Sequence, residues 1–163
     1  MHEEQYSFVF KVYRSIDELN NQDTVLLQKA RDTTHNAYAP YSRFFVGAVA
    51  RLKSGAFVQG ANQENASFPA GICAERVLLS SVSSQIDSEP IEAIAISYHN
   101  QTGESDKPVS PCGICRQTLL EYEERQQQPI RLILGGMEGE VYVIEKASML
   151  LPLSFTKADL KNK

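Results

Sequence analysis

The sequence predicts an α/β protein with a mixed sheet between helices, a three-layer α/β/α arrangement. Strand and helix patterns alternate along most of the chain, as the apolar run 91–98 and the helical spacing over 24–38 illustrate. Two further strand patterns, 44–52 and 56–61, are joined by a turn at Lys53-Ser54-Gly55 and predict a hairpin. A hairpin followed by alternating strands and helices favours a mixed sheet with helices on both faces.

The N-terminal part is expected to hold an edge strand and a long helix. Residues 6–13 alternate between aromatic or apolar and other side chains, which predicts a strand added to a sheet edge. Ser15-Ile16-Asp17-Glu18 matches a capping box that opens a short helix. A longer helix follows over 24–38, and Ala39-Pro40 breaks it. Residues 1–14 are therefore read as an N-terminal extension of the domain.

The remaining elements complete a predicted sheet of five strands, to which the extension adds a possible sixth. Asn62-Gln63-Glu64-Asn65 predicts a loop, and a helix begins near residue 72. The polar segment 100–110 contains Gly103 and Pro108 and is expected to be an exposed excursion. The rest of the chain follows in order: a helix over 112–124 and strands over 130–134 and 140–144.

Composition restricts the class of protein. The 163 residues fit one domain, with 42% hydrophobic and 22% charged residues. The net charge of −4 argues against a nucleic-acid partner, which usually needs a basic surface. No apolar run reaches the ~18 residues of a membrane span, and no signal-peptide pattern is visible. Three cysteines, an odd number, are expected in a reducing cytoplasm.

The cysteines and one acid form the most informative pattern. Cys73, Cys112 and Cys115 are the only cysteines, and Glu75 stands two residues after the first of them. A catalytic zinc takes three protein ligands and leaves its fourth position to water. Cys112 and Cys115 would share one face of a helical turn that begins after Pro111. Positive helix N-termini favour thiolates, so the pattern indicates a zinc site with a proton shuttle.

Two other interpretations of the cysteines stay open at this point. A single C-x-x-C is also typical of a redox pair or of half a structural zinc site. A redox pair leaves Cys73 without a role, and a closed structural site needs a fourth ligand. The histidines, His2, His35 and His99, are not adjacent to a cysteine in the sequence.

Both motifs together point to a known family. Cys73-Ala74-Glu75, followed after a strand by Pro111-Cys112-Gly113-Ile114-Cys115, resembles the signature of the zinc-dependent nucleoside and nucleobase deaminases. More narrowly, the chain resembles the small, homotetrameric cytidine deaminases with three cysteine ligands. The resemblance covers residues 26–160 and includes these further segments: Ala39-Pro40-Tyr41-Ser42, Gly60-Ala61-Asn62-Gln63-Glu64-Asn65-Ala66 and Leu150-Leu151-Pro152-Leu153-Ser154-Phe155.

The resemblance implies a cytidine-deaminase-like fold and an active site with one zinc ion per subunit. Cys73, Cys112 and Cys115 would be the ligands, and Glu75 would shuttle protons. The further residues implied are these: Phe44 against the pyrimidine, Asn62 and Glu64 on the ribose, Arg76 beside the zinc thiolates, and Phe155 reaching into the active site of a neighbouring subunit. The implied assembly is a homotetramer with shared active sites, although the extension at 6–13 departs from the family.

The implied activity is hydrolysis of cytidine and 2′-deoxycytidine to uridine and 2′-deoxyuridine with release of ammonia, in pyrimidine salvage. A deaminase of a related nucleoside such as blasticidin S has a similar three-cysteine site and remains an alternative. A polynucleotide-editing deaminase usually has histidine as its first ligand and a basic surface, neither of which fits here. A non-catalytic zinc-stabilised binding module is the third alternative, and it would require a fourth protein ligand.

Overall fold

The computed structural model describes residues 1–85 and 89–160 and contains a six-stranded mixed sheet with helices on both faces. Sheet order is β1-β6-β5-β4-β2-β3, and β4 and β5 are parallel while the other neighbours are antiparallel. The predicted α/β/α fold is confirmed, with one strand beyond the core five. Strands and helices have these bounds: β1 Lys11–Tyr13, α1 Asn21–Thr33, β2 Phe44–Leu52, β3 Phe57–Ala61, α2 Ala74–Gln85, β4 Ile91–Asn100, α3 Gly113–Gln126, β5 Arg131–Gly135 and β6 Val141–Ile144.

Two apolar layers separate the sheet from the helices. One face of the sheet packs against α1 through buried residues that include Leu26, Ala30, Val49, Ala95 and Ile133. The opposite face packs against α2 and α3 through residues that include Ala48, Leu78, Ile94, Leu119 and Leu132. Side chains of a strand alternate between faces, so a strand covered on both sides reads as a continuous apolar run. This explains the almost uninterrupted apolar sequence of β4.

The N-terminal strand lies at a sheet edge, as predicted, but it is shorter than the predicted 6–13. Only Lys11–Tyr13 pairs, antiparallel to β6. The four residues of β6 are too few to pair with all eight residues of the predicted strand. The preceding aromatic residues instead form a row of ring contacts in which Phe10 lies 5.0 Å from Tyr142 between ring centroids.

The first long helix begins and ends earlier than the predicted 24–38. Asn20 caps α1, because its side-chain oxygen accepts a hydrogen bond from the Asp23 N–H at 3.0 Å. A short 3-10 turn over Thr34–Asn36, which contains His35, follows the helix. Tyr38 is extended because its backbone pairs with the following loop, donating to Asn62 O at 2.9 Å. The remaining predicted boundaries lie within two residues of the observed ones.

A glycine lets α2 lie directly on the sheet. A β-carbon at Gly60 in β3 would overlap the α2 backbone at Leu78 and Ala74. Glycine is therefore required for this close approach, which holds the first turn of α2 against β3. The positions of the residues that start α2, including Cys73 and Glu75, depend on this contact.

The polar segment 100–110 is largely exposed, as predicted, but it is also attached to a neighbouring turn. Most of its side chains are exposed, but Ser105 is buried and its hydroxyl oxygen accepts a hydrogen bond from the Asn100 N–H at 2.9 Å. The Ser105 carbonyl accepts a second bond from the Glu138 N–H in the turn between β5 and β6. Gly139, with a φ of +76°, touches the Asp106 carbonyl where a β-carbon would overlap it. The polar composition of the segment gives no indication of these contacts.

Within the described residues, the longest helices are too short or too polar to traverse a lipid bilayer.

Candidate metal centre and active site

Two helix N-termini meet at one end of the sheet. Cys73 directly precedes α2, and Glu75 lies in the first turn of that helix. The approach to α2 is fixed by a backbone pair in which Gln63 and Ile72 exchange N–H to carbonyl hydrogen bonds at 2.9 Å. Cys112 is the N-cap residue of α3, and Cys115 is buried in the first turn. Both helices thus direct their positive ends toward the same point.

The three thiols form a compact group, called the cysteine cluster below. The Sγ of Cys112 lies 3.8 Å from that of Cys73 and 3.5 Å from that of Cys115. All three sulfur atoms lie within 4.8 Å of one another, and no histidine or further acid of the described residues joins them. Tetrahedral zinc with Zn–S bonds of about 2.3 Å would place its sulfur ligands about 3.8 Å apart. The donor set therefore fits a metal ion with three protein ligands and one free position.

Hydrogen bonding within the cysteine cluster lowers the pKa of one thiol, Cys73. The Cys115 thiol donates to Cys73, which lowers the pKa of Cys73 to about 6 despite the opposing effect of burial. The same bond, together with burial, raises the pKa of Cys115. A lowered pKa favours the thiolate of Cys73, and a thiolate is the form that binds metal.

Glu75 is the buried acid of the site. Its residue is 5% exposed, and burial raises the pKa of its carboxyl group. The carboxylate lies beside the Cys115 thiol but outside the metal-binding group. Glu75 therefore lies next to the cysteine cluster without belonging to it.

A cavity of about 180 Å³, called the inner cavity below, opens beside the cysteine cluster. Two of the cysteines and Glu75 occupy one end, and apolar side chains from β2 and β4 form the sheet side. This volume is below the ~300 Å³ of typical ligand pockets and matches a single small ring. Its lining comprises Phe44, Val46, Asn62, Cys73, Ala74, Glu75, Ile96, Tyr98, Val109, Ser110 and Cys112.

A second cavity of about 290 Å³, called the outer groove below, adjoins the first and shares Asn62 and Cys73 with it. It is more open to solvent and is lined largely by loop residues: Tyr41, Asn62, Gln63, Glu64, Asn65, Phe68, Gly71, Ile72 and Cys73. The two cavities therefore lie side by side, the inner one against the thiols and the outer one along the loop.

Asn62 and Glu64, the two residues expected on a ribose, already make hydrogen bonds within the chain. The Asn62 side-chain oxygen accepts from the Val46 N–H at 2.7 Å, and its amide donates to Phe44 O at 3.0 Å. One Glu64 carboxylate oxygen accepts from the Tyr41 N–H at 2.9 Å and the Ser42 N–H at 3.3 Å. Hydrogen bonding by Ser42 lowers the pKa of Glu64. Both residues therefore also shape the loop around the site.

The other two predicted site residues, Arg76 and Phe155, do not line either cavity. Arg76 is half-buried on α2, and its guanidinium makes no hydrogen bond with the part of the chain that the structure describes. Phe155 lies outside both cavities of its own chain, with 59% of its surface exposed. Its carbonyl accepts a hydrogen bond from the Gln117 amide at 2.9 Å, and Arg116 donates to Leu150 O at 3.1 Å. Through these bonds, Arg116 and Gln117 hold the C-terminal segment against α3.

Sequence reasoning missed the residues that close the inner cavity. Tyr98, Ile96 and Val109 line it without having been predicted to do so. Tyr98 stacks on Phe44 with ring centroids 4.7 Å apart and planes 12° apart. A partial indication of Tyr98 was present in the sequence, because an aromatic residue near the end of a buried strand can face a site at the ends of the strands.

Fold and site together define a class: an α/β/α protein with three thiols placed to hold a metal ion beside a buried carboxylate. Residues 20–127 match the family described as "Cytidine and deoxycytidylate deaminase zinc-binding region". The chain therefore belongs to the cytidine and deoxycytidylate deaminase family, and it is a deaminase.

Individual relatives agree with this membership. The cytidine deaminase of Halalkalibacterium halodurans is 36% identical over 85% of this chain and 97% of that protein. The crystal structure of cytidine deaminase from Burkholderia pseudomallei matches with a TM-score of 0.68 and 34% identity, covering 80% of this chain and 97% of that one. The blasticidin-S deaminase of Bacillus cereus is more distant, at 28% identity over 85% of this chain and 96% of that protein.

Proposed function

We propose that the chain hydrolyses cytidine and 2′-deoxycytidine to uridine and 2′-deoxyuridine, releasing ammonia, with one zinc ion per subunit. The observation that carries the proposal is the cysteine cluster at the closed end of a cavity sized for one ring, with Glu75 buried in the same wall. Zinc held by three thiolates lowers the pKa of a water molecule toward ~7 and so supplies the nucleophile. Cys73, Cys112 and Cys115 are the proposed ligands.

Glu75 is the proposed proton carrier of the reaction. It takes a proton from the attacking water, delivers it to N3 of the pyrimidine, and assists protonation of the departing amine at C4. One water is consumed and one ammonia leaves, so the carboxylate returns to its starting state. Burial of Glu75 keeps bulk water from the proton transfer, and such acid–base catalysis contributes ~10²–10⁴-fold.

The other residues are proposed to hold the substrate and balance charge. Phe44 packs against the pyrimidine in the inner cavity, while Asn62 and Glu64 contact the ribose in the outer groove. Arg76 and the helix N-termini offset the negative charge of three thiolates. The closeness of Arg76 to the site is reflected in its lowering of the Cys73 pKa, secondary to the hydrogen bond from Cys115.

We also propose a homotetramer in which Phe155 contacts the active site of a neighbouring subunit. Support comes from the exposure of its side chain and from the bonds of Arg116 and Gln117, which fix the C-terminal segment on the outside of the chain. The net charge of −4 supports a nucleoside rather than a nucleic-acid strand as the substrate. Pyrimidine salvage is the role that such an activity would serve.

A second candidate is deamination of blasticidin S, which the more distant relative supports. Both substrates carry an aminopyrimidine, so the same cysteine cluster and Glu75 would serve either one. The non-catalytic zinc module is disfavoured, because the described residues supply no fourth ligand to the cysteine cluster.

The test incubates zinc-loaded protein with cytidine and measures uridine, ammonia and bound zinc, in the parent and in Glu75→Gln. Parent protein should release uridine and ammonia in equal amounts, and Glu75→Gln should lose ~10²–10⁴-fold of the rate while retaining zinc. Glu121→Gln, an exposed position on α3, is the matched control and should behave as the parent. Absence of product from loaded parent would refute the cytidine assignment, and a faster rate on blasticidin S would select the second candidate.

A further inference from the structure

The apolar wall of the inner cavity has no role in the proposed chemistry, and Tyr98 is the largest of the four residues that form it, Val46, Ile96, Tyr98 and Val109. This side chain belongs to β4 and is 3% exposed. Tyr98 pairs with Val46 across the sheet, so both project from the same face, toward α2 and the cysteine cluster. Tyr98 is therefore part of the rigid floor of the cavity.

The proposed function fixes which edge of the pyrimidine meets this floor. C4 and its amino group must lie at the cysteine cluster, and N3 must face Glu75. N1 must point to the outer groove, because Asn62 and Glu64, the residues proposed to contact the ribose, line that groove. The remaining edge, C5–C6, carries only hydrogens on carbon. It is matched by the apolar wall of Val46, Ile96, Tyr98 and Val109.

Tyr98 is the member of that wall best able to limit what attaches to C5. Val109 is 39% exposed on the segment 101–110, so it can shift toward solvent. Tyr98 is held in place, because it is buried in the sheet and its ring stacks on Phe44 with planes 12° apart. A packed aromatic ring in a sheet yields little to a larger ligand.

We propose that Tyr98 is a specificity-determining residue that closes the inner cavity beyond C5 of the pyrimidine and so restricts the enzyme to rings with hydrogen at C5. This inference rests on the proposed function, since it uses the orientation that deamination at C4 imposes. Pyrimidine nucleosides with a methyl or larger group at C5 are the class that Tyr98 excludes.

The test compares Tyr98→Leu with Tyr98→Phe, each loaded with zinc. Tyr98→Leu shortens the wall, whereas Tyr98→Phe keeps the ring and is the matched control. The measurement is kcat/KM for 5-methylcytidine divided by kcat/KM for cytidine. Because one methyl group in a tight apolar pocket changes binding by about 10–200-fold, this ratio should rise about tenfold or more in Tyr98→Leu and stay near the parent value in Tyr98→Phe.

Dissociation constants of the products give a second reading that does not depend on turnover. Parent protein should bind 5-methyluridine about tenfold or more weakly than uridine, and Tyr98→Leu should bind the two with similar affinity. The parent comparison remains informative if Tyr98→Leu does not fold, since equal affinities in the parent would overturn the inference.

The possible failures are distinguishable. A parent that converts cytidine, combined with an unchanged ratio in Tyr98→Leu or an equal change in Tyr98→Phe, would overturn the role of Tyr98 and leave the proposed function intact. A loaded parent that leaves cytidine unchanged would overturn the proposed function and, with it, this inference.

Discussion

The inner cavity and the outer groove share Asn62 and Cys73, yet they are built from different kinds of structure. Strands β2 and β4 and the first turns of α2 and α3 supply the inner cavity. The outer groove consists mainly of the loop after β3 and the 3-10 turn over Phe68–Ala70. The proposed catalytic residues therefore lie at strands and helices that pack in the core. The outer groove is formed by a loop that side-chain hydrogen bonds hold in place.

Because of this difference, substitutions in the two cavities should have different effects on catalysis. The cysteine cluster and Glu75 have fixed positions because Gly60 holds α2 on the sheet and both helices pack on the same apolar layer. Changes there should remove turnover. In the outer groove, Asn62 and Glu64 are attached to backbone groups of β2 and of the segment before it. Changes there should weaken substrate binding more than they slow the chemical step.

The largest effect is expected from Cys73→Ala, which removes the thiol shared by both cavities. With one of three ligands gone, metal affinity should fall by about 10³-fold or more, and deamination should cease. The metal content after dialysis, measured by atomic absorption, and the rate on cytidine check this result. Ser110→Ala lies in the same cavity without belonging to the cysteine cluster and should keep its metal.

Cys73→Ala should also lower the thermal midpoint, because a metal on the cysteine cluster joins α2 to α3 and stabilises the folded state by binding it. Chelation of the parent should lower the midpoint similarly, and added zinc should restore it. Retention of full metal and activity by Cys73→Ala would show that this thiol is not a ligand.

The cysteine cluster was predictable because each of its two parts is a short pattern within one segment of the sequence. Cys112 and Cys115 stand at the N-cap and in the first turn of one helix, and Cys73-Ala74-Glu75 stands at the start of another. A proline before the first turn and good helix formers after it locate such sites without knowledge of the fold. The apolar run of β4 likewise identified a strand covered on both faces.

The features that sequence reasoning missed depend on contacts between distant segments. Tyr98 enters the inner cavity only through the pairing of β4 with β2, which no local pattern specifies. Ser105 is buried because the turn around Gly139 lies against it. The short β6 limits the length that β1 can reach, and Tyr38 is extended because it pairs with the loop after β3. In each case a tertiary contact overrode a local propensity.

A smaller effect is expected from Glu64→Gln in the outer groove. Glutamine keeps an oxygen for the Tyr41 and Ser42 N–H groups but loses the negative charge that would strengthen a bond from a ribose hydroxyl. KM for cytidine should rise about tenfold, with kcat little changed, because a charge-assisted hydrogen bond contributes about 1.5–3 kcal/mol. Steady-state kinetics at varied cytidine concentrations measure both constants.

A substrate lacking the 3′-hydroxyl shows whether Glu64 acts through that group. With 3′-deoxycytidine, Glu64→Gln should lose little relative to the parent, because the bond that the substitution weakens no longer exists. An equal penalty on cytidine and 3′-deoxycytidine would assign Glu64 to loop shape alone. Glu92→Gln, an exposed position on β4, should affect neither substrate.

The smallest effect on rate, but a measurable one on stability, is expected from Asn62, where the two cavities meet. Asn62→Ala removes the bonds to Val46 N–H and Phe44 O and should lower the free energy of unfolding by about 1–3 kcal/mol. Asn62→Asp retains an acceptor for the Val46 N–H but loses the donor to Phe44 O, so its stability should lie between that of the parent and that of Asn62→Ala. Urea denaturation at one fixed protein concentration gives this order.

Comparing stability with KM in the two Asn62 variants distinguishes a role in fastening the loop to β2 from a purely substrate-binding role. If Asn62 mainly fastens the loop to β2, stability and KM should deteriorate together, because Phe44 moves whenever its carbonyl loses its partner. If it mainly binds the ribose, KM should rise in both variants while the urea midpoint stays at the parent value. The bonds of 2.7 and 3.0 Å to β2 favour the first outcome. On that basis the loop of the outer groove is held in place by β2, the same strand that lines the inner cavity.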